Sequence, residues 1–348
     1  MVKVLYAGAY ARVGEPGISV VCLGNDGSLQ IKNDYRCIAN PSYLARGPSS
    51  LLYAVSELME GGEVWAFHVD RDGGLIPAGH RRVSGGAACH VAVDNTGRFL
   101  AVANYLSGIV DLFRLERDGA IAERICVLKH KGHGPIQDRQ EGAHAHCVAF
   151  HPSIDNRMLI ADLGSDRVWL YEIDHKTRTA EQAGNIVLPP GSGPRHIVFC
   201  PDTPSIIYVI CELGLCIYTV RLCGDSGIIL DVQNCMPENF TGIAGSAAIK
   251  VDLASMRVYA STRVYNMSPG EDCITSYSID PSDYTLKGPA FFQQVAPEPR
   301  DIAIVDDHLL AACQSGGRLM SFEIDRRNGI PSRCVSTLEI PGVCCICE

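Results

Sequence analysis

The groups in this chain best suited to moving a proton or holding an anion fall in four short stretches: His144-Ala-His146, Asp162, Arg195-His196 and Glu212. Brought together, an imidazole, a guanidinium and two carboxylates would form an acid–base set, since such neighbours shift one another's proton affinity. A carboxylate tuned beside a cation in a cleft is a candidate for acid–base work. His144 and His146 also form a His-x-His pair on one strand face, a spacing open to metal binding.

Each candidate has a purely structural alternative. Asp162 is followed by the turn-like Leu-Gly-Ser-Asp166 and would cap backbone amides there. His90 would be a satisfied core histidine, and Glu57 would pair with an arginine such as Arg46. Arg195 and Glu212 would form a salt bridge at a rim. If they act on substrate instead, Arg195→Ala and Glu212→Gln should abolish turnover with little effect on the thermal midpoint.

What would gather residues so far apart in the chain is a repeat. Tyr10, Glu57, Asn104, Asp162, Glu212, Arg263 and Gln314 each close a short apolar strand, at a period of roughly fifty residues. The third unit is the clearest: His90–Val93, a turn at Asn95-Thr-Gly97, Phe99–Asn104, a Ser107-Gly108 turn, Ile109–Phe113, then Asp118-Gly119 and a weaker strand. Short strands joined by Asn, Asp and Gly turns are hairpin signals. Third strands recur at Gly17–Leu23, Glu63–Asp70, Ile109–Glu116, Arg167–Asp174, Leu215–Leu222, Cys273–Asp280 and Arg318–Asp325. Both landmarks count seven, so the expected fold is an all-β, seven-bladed β-propeller, a single domain over residues 1–348.

The first unit lacks an innermost strand, and Val343-Cys-Cys-Ile-Cys347 is a strand with no unit of its own. It is expected to complete the N-terminal blade and remove two exposed edges. If innermost strands leave one face, second strands return to it. First residues of innermost strands (His90, His146, His196), Arg195 and Arg300 just before theirs, and the seven polar ends then share one rim. Two insertions open onto that rim, Lys129–Ala145 and Val264–Asp272, and Arg139 lies in the first.

Composition narrows the function. The chain has 348 residues, is 47% hydrophobic and carries a net charge of −9, without the basic stripe of a nucleic-acid binder. It enters a strand at once, with no apolar targeting run and no stretch long enough to span a membrane. The sixteen cysteines are scattered along strands, as small buried hydrophobes would be, and suggest a reduced, cytoplasmic protein. Cys344, Cys345 and Cys347 lack a second pair at zinc-finger spacing.

Gly191-Ser-Gly-Pro-Arg-His196 followed by Cys211-Glu-Leu213 resembles the lactonase family of seven-bladed propellers, which includes bacterial-type 6-phosphogluconolactonase and 3-carboxy-cis,cis-muconate lactonizing enzyme. Further matches are Asn40-Pro-Ser-Tyr-Leu44, Ala103-Asn-Tyr105, Arg139-Gln-Glu141, His144-Ala-His146, Ala161-Asp-Leu-Gly164 and Pro299-Arg-Asp301. Ser261-Thr-Arg263 keeps part of the family pattern, Ala87-Ala-Cys-His90 lacks the usual Pro, and Ala312-Cys-Gln314 has Cys where Asn is common. The resemblance implies catalytic roles for His146, Arg195 and Glu212, a metal-independent reaction and no cofactor. It implies a small lactone or unsaturated carboxylic acid as substrate, and the shared rim makes His90, Glu57, Asn104, Asp162, His144, His196, Arg139, Arg263, Arg300 and Gln314 its expected contacts. Hydrolysis of a phosphorylated sugar lactone is the leading expectation, with Lys129, Lys131 and Arg139 as phosphate holders. Lactone formation by a cycloisomerase and a non-catalytic binding platform are the alternatives.

Overall fold

The computed structural model describes residues 2–47, 50–174, 176–265, 271–325 and 327–348. Five residues of the expected second insertion, 266–270, lie outside the described residues. The described residues form seven four-stranded antiparallel sheets, the number the repeat predicts. No helix among them is long and apolar enough to cross a membrane. The third strands fall within one residue of their expected bounds, for example Ile18–Leu23, Ile109–Leu115 and Arg167–Asp174.

The chain packs as two compact units, Met1–Ala39 with Ile210–Thr219 and Leu230–Glu348, and Asn40–Val209 with Val220–Ile229. The first unit holds three complete sheets. In the first sheet the C-terminal strand Val343–Cys347 pairs with Lys3–Ala9, from Tyr6↔Cys347 to Ala9↔Val343. The chain's end therefore supplies the missing innermost strand. Leu5, Ala7, Leu310, Ala312, Leu319, Val343 and Ile346 form one buried cluster joining the first and seventh sheets. Asp301 adds a polar stitch: its Oδ2 accepts the Ile346 N–H at 2.9 Å, and its Oδ1 lies 3.4 Å from Lys250 Nζ of the sixth sheet.

The second unit holds the second, third and fourth sheets. Its core strands, such as Phe99–Asn104 and Leu51–Ser56, are buried on both faces, which is why they read as continuous apolar runs. In the fifth sheet the order is Pro194–Phe199, Ile206–Cys211, Cys216–Cys223, Ser226–Asn234, and its strands are divided between the units.

One irregularity recurs at the start of the innermost strands. Pairing shifts between Ala88 and His90, between Ala145 and Cys147, and between Pro299 and Asp301. Cys89, His146 and Arg300 are thus extra residues that leave the ladder, and a bulge of this kind re-aims the side chain it frees. Arg195 holds the same second place in Pro194–Phe199. This corrects the equivalence expected of His90, His146 and His196. His146 is a bulge residue, while His90 comes one position after its bulge.

Deleting Val343–Glu348 should remove the innermost strand of the first sheet and the burial of Val343, Cys344, Cys345 and Ile346, each no more than 5% exposed. A loss of about 5 kcal/mol or more is expected, read as a collapse of the thermal midpoint by circular dichroism. A truncated chain melting like the full one would contradict the closure.

Candidate active site

In the second unit the bulge at His146 places its imidazole in a cluster of rings. Its edge meets His196 at 5.5 Å between centroids and Tyr105 at 5.7 Å. His196 in turn meets His90 at 5.6 Å and Tyr43 at 5.8 Å, and Tyr43 lies 4.1 Å from His90. Arg195, 3% exposed, holds its Nη1 3.2 Å from His196 Nε2. A guanidinium only donates, so in this contact Nε2 is the acceptor. His90 faces the fourth sheet: its Nδ1 accepts the Val148 N–H and its Nε2 lies 3.4 Å from Cys147 Sγ. These contacts set His90 between the third and fourth sheets.

The first insertion borders this cluster. His144 stacks on Tyr105 at 4.5 Å, with Nδ1 2.9 Å from the Tyr105 carbonyl and Nε2 3.2 Å from Glu141. Both its ring nitrogens are therefore engaged, and no group of three or more His, Cys, Asp or Glu among the described residues is arranged to hold a metal ion. Asp162 is surrounded by donors. It accepts the His144 N–H at 2.7 Å, the Gly164 N–H at 3.2 Å, the Ser165 hydroxyl at 2.7 Å and the Trp169 indole N–H at 3.0 Å. Asn104 is fully buried, and its Nδ2 donates to Asp111 at 2.9 Å. Glu57 is held by its backbone, donating its N–H to the Asn40 carbonyl and accepting Asn40 Nδ2. Arg139 reaches the Tyr105 hydroxyl at 3.4 Å, and Lys129 and Lys131 are exposed.

Two residues that the sequence did not single out hold the insertion in place. Gln140, with no exposed surface, donates to the Leu163 carbonyl at 2.9 Å and to Asp166 Oδ1 at 2.8 Å. Asp166 also accepts the N–H groups of Gly191 at 2.7 Å and Gly193 at 2.8 Å. The one sequence signal for Asp166 was its place at the end of the turn after Asp162.

In the first unit Glu212 lies just past its strand and pairs with Arg263 at 3.1 Å, with the two side chains 5% and 6% exposed. Tyr265 closes a triangle: its hydroxyl donates to Glu212 at 3.2 Å and accepts from Arg263 at 3.2 Å. Gly245 leaves it room, since a Cβ there would stand 2.1 Å from the Tyr265 oxygen. Arg300 donates to the Tyr10 hydroxyl at 3.0 Å and lies over its ring. The Gln314 N–H donates to the Glu298 carbonyl, and its side-chain carbonyl is buried. Glu212→Gln would leave a buried guanidinium without its counter-charge, and losing one partner of such a pair costs about 3–5 kcal/mol, so the thermal midpoint is expected to fall rather than stay unchanged.

The family model described as "Lactonase, 7-bladed beta-propeller" matches residues 4–347. A 6-phosphogluconolactonase of Bacillus subtilis is 29% identical over 351 residues, covering 98% of this chain and 97% of the relative. One from Formosa agariphila is 28% identical over 326 residues, covering 91% and 90%. The structure of a periplasmic gluconolactonase from Pseudomonas aeruginosa shares the fold, with a TM-score of 0.91 at 23% identity over 99% of this chain and 98% of that one.

His130, at the start of the insertion, stacks on Trp169 at 5.3 Å, and burial pushes its pKa down to about 4 against the opposing pull of Asp162. The unfolded chain then binds this proton first. His130 contributes its full stability above about pH 6.5 and loses it as the pH falls toward 4. His130→Phe keeps the stack without the titration. It should remove about 1–3 kcal/mol of the stability lost between neutral pH and pH 4, measured by urea unfolding. Parallel pH profiles for both proteins would refute the assignment.

Proposed function

The chain belongs to the seven-bladed lactonase family, and from that premise we propose that it hydrolyses a small anionic sugar lactone of the 6-phosphogluconolactone type. Lactone hydrolysis needs a base for water and a cation for the tetrahedral oxyanion. The observation that carries the reading is Arg195, a nearly fully buried guanidinium in a cluster of imidazole and phenol rings. In such a low-dielectric setting a positive charge is worth far more to a developing oxyanion than it would be in water.

Arg195 binds the carbonyl oxygen, and His146 or Glu212 takes the proton from water as its oxygen adds to the carbonyl carbon. The ring C–O bond then breaks, and the same proton passes to the leaving alkoxide. Glu212 joins this assignment through the Cys211-Glu-Leu213 motif shared with the family, and Arg263 and Tyr265 fix its orientation. His196, His144, Arg263 and Arg300 are proposed to orient substrate, and Arg139 to hold the phosphate with Lys129 and Lys131. Asp162, Asn104 and His90 are left to structure. The sixteen cysteines, most of them buried, suit a reducing, cytoplasmic setting. One propeller domain over residues 1–348 is part of the same proposal.

Acid release read by pH-stat on 6-phosphogluconolactone, gluconolactone and a muconolactone tests the reading. Turnover should be fastest on the phosphorylated lactone and indifferent to a chelator. Arg195→Ala should lower kcat/KM about 100-fold or more; a variant retaining full activity would overturn the site. Arg139→Ala should raise KM about tenfold on the phosphorylated lactone alone. Equal effects on both sugar lactones would remove Arg139 from phosphate binding.

A further inference from the structure

We propose that Asp166 is the positioning residue of the Arg195-His196 pair, and that its carboxylate sets the catalytic geometry from outside the reacting groups. Asp166 is 5% exposed and sits in the left-handed region at φ 54, immediately before the strand Arg167–Asp174. Few side chains tolerate that conformation, and aspartate is one of them. Its backbone is tied down because its carbonyl accepts the Leu188 N–H at 2.9 Å. Its two oxygens then divide the work. Oδ2 takes the Gly191 N–H at 2.7 Å, while Oδ1 takes Gly193 N–H and Gln140 Nε2, each at 2.8 Å.

The Gly191–Gly193 turn feeds directly into Arg195. Both glycines have positive φ, at 82 and 61, and Pro194 comes next with its own φ locked. Once one carboxylate fixes the amides at both ends of this turn, the direction in which Arg195 leaves it has little freedom. Charge-assisted bonds to buried amides are short and strong, so the constraint is stiff. Gln140 brings the first insertion to the same carboxylate, so one side chain registers two mobile-by-nature segments against the fourth sheet. Asp166 touches neither the proposed substrate nor the reacting atoms. Its effect passes through Arg195.

This inference rests on the proposed lactone hydrolysis, and the test separates the two. Asp166→Asn keeps the shape but cannot accept from all three donors, since its amide nitrogen donates. It should lower kcat/KM for 6-phosphogluconolactone about 10- to 100-fold, with Asp166→Glu recovering little because its carboxylate is displaced by one methylene. The deciding measurement is a double-mutant cycle with Arg195→Lys, a variant that keeps the positive charge but not the planar fork. If Asp166 acts through Arg195, the Arg195→Lys penalty should shrink at least threefold in the Asp166→Asn background. Penalties that multiply independently, or wild-type activity in Asp166→Asn, would overturn the proposal. Should Asp166→Asn fail to fold, the same cycle with Gln140→Leu decides it, with coupling expected and independence refuting. Wild-type activity in Arg195→Lys and Arg195→Ala together would instead remove the site reading itself.

Discussion

Irregular backbone between sheets must find hydrogen-bond acceptors once it is buried, and in this fold aspartates supply them. Asp111 accepts the Ser84 N–H at 2.9 Å on the way from the second sheet to the third. Asp166 accepts two amides between the fourth and fifth. Asp272 accepts the Glu298 N–H at 3.1 Å between the sixth and seventh. Asp166 and Asp272 hold the same place, one residue before a third strand. Burial pushes the Asp272 carboxyl up, partly offset by the amides it accepts. The connectors that carry the candidate site residues are thus anchored by charges that themselves sit out of water.

The repeat was legible because its signals are local. Turn residues, apolar runs and the orphan strand at Val343–Cys347 each declare themselves within ten residues, and the pairing of the chain's two ends is a consequence of the count. The repeating four-residue turn shows the same regularity, with Asn104↔Ile109, Asp162↔Arg167 and Cys313↔Arg318 in matching register. Bulges have no such signature. A bulge inserts one residue without changing composition or period by much, so His90 and His146 looked equivalent although one belongs to the ladder and the other has left it.

The polar residues were legible as a set but not by role. Asp162 and Glu212 stand at equivalent strand ends, yet Asp162 meets four donors from its own turn and the strand beside it. Glu212 meets an arginine and a tyrosine. The difference lies in the neighbours each carboxylate finds. Leu-Gly-Ser after Asp162 folds one amide and a hydroxyl back onto the carboxylate, whereas Glu212 depends on Arg263 and Tyr265, some fifty residues further along the chain. Contacts made over that distance leave no mark in a local motif. Asp166 was missed for the same reason, since its donors come from Gln140 and the Gly191–Gly193 turn.

Tight approach explains where glycine is needed beside the insertion. A Cβ at Gly108 would stand 2.3 Å from the Ala143 carbonyl oxygen, and one at Gly164 would stand 1.8 Å from that of Gly142. Both lie in turns between second and third strands, on the third and fourth sheets. The insertion therefore rests on backbone rather than on side chains at these points, and rigid backbone contact is a firmer footing than flexible side-chain packing. Gly142 and Ala143 lead straight into His144 and His146. A segment without regular structure can hold an imidazole in one orientation when glycines beneath it let it sit this low and two buried polar side chains, Gln140 and Asp166, keep it from sliding.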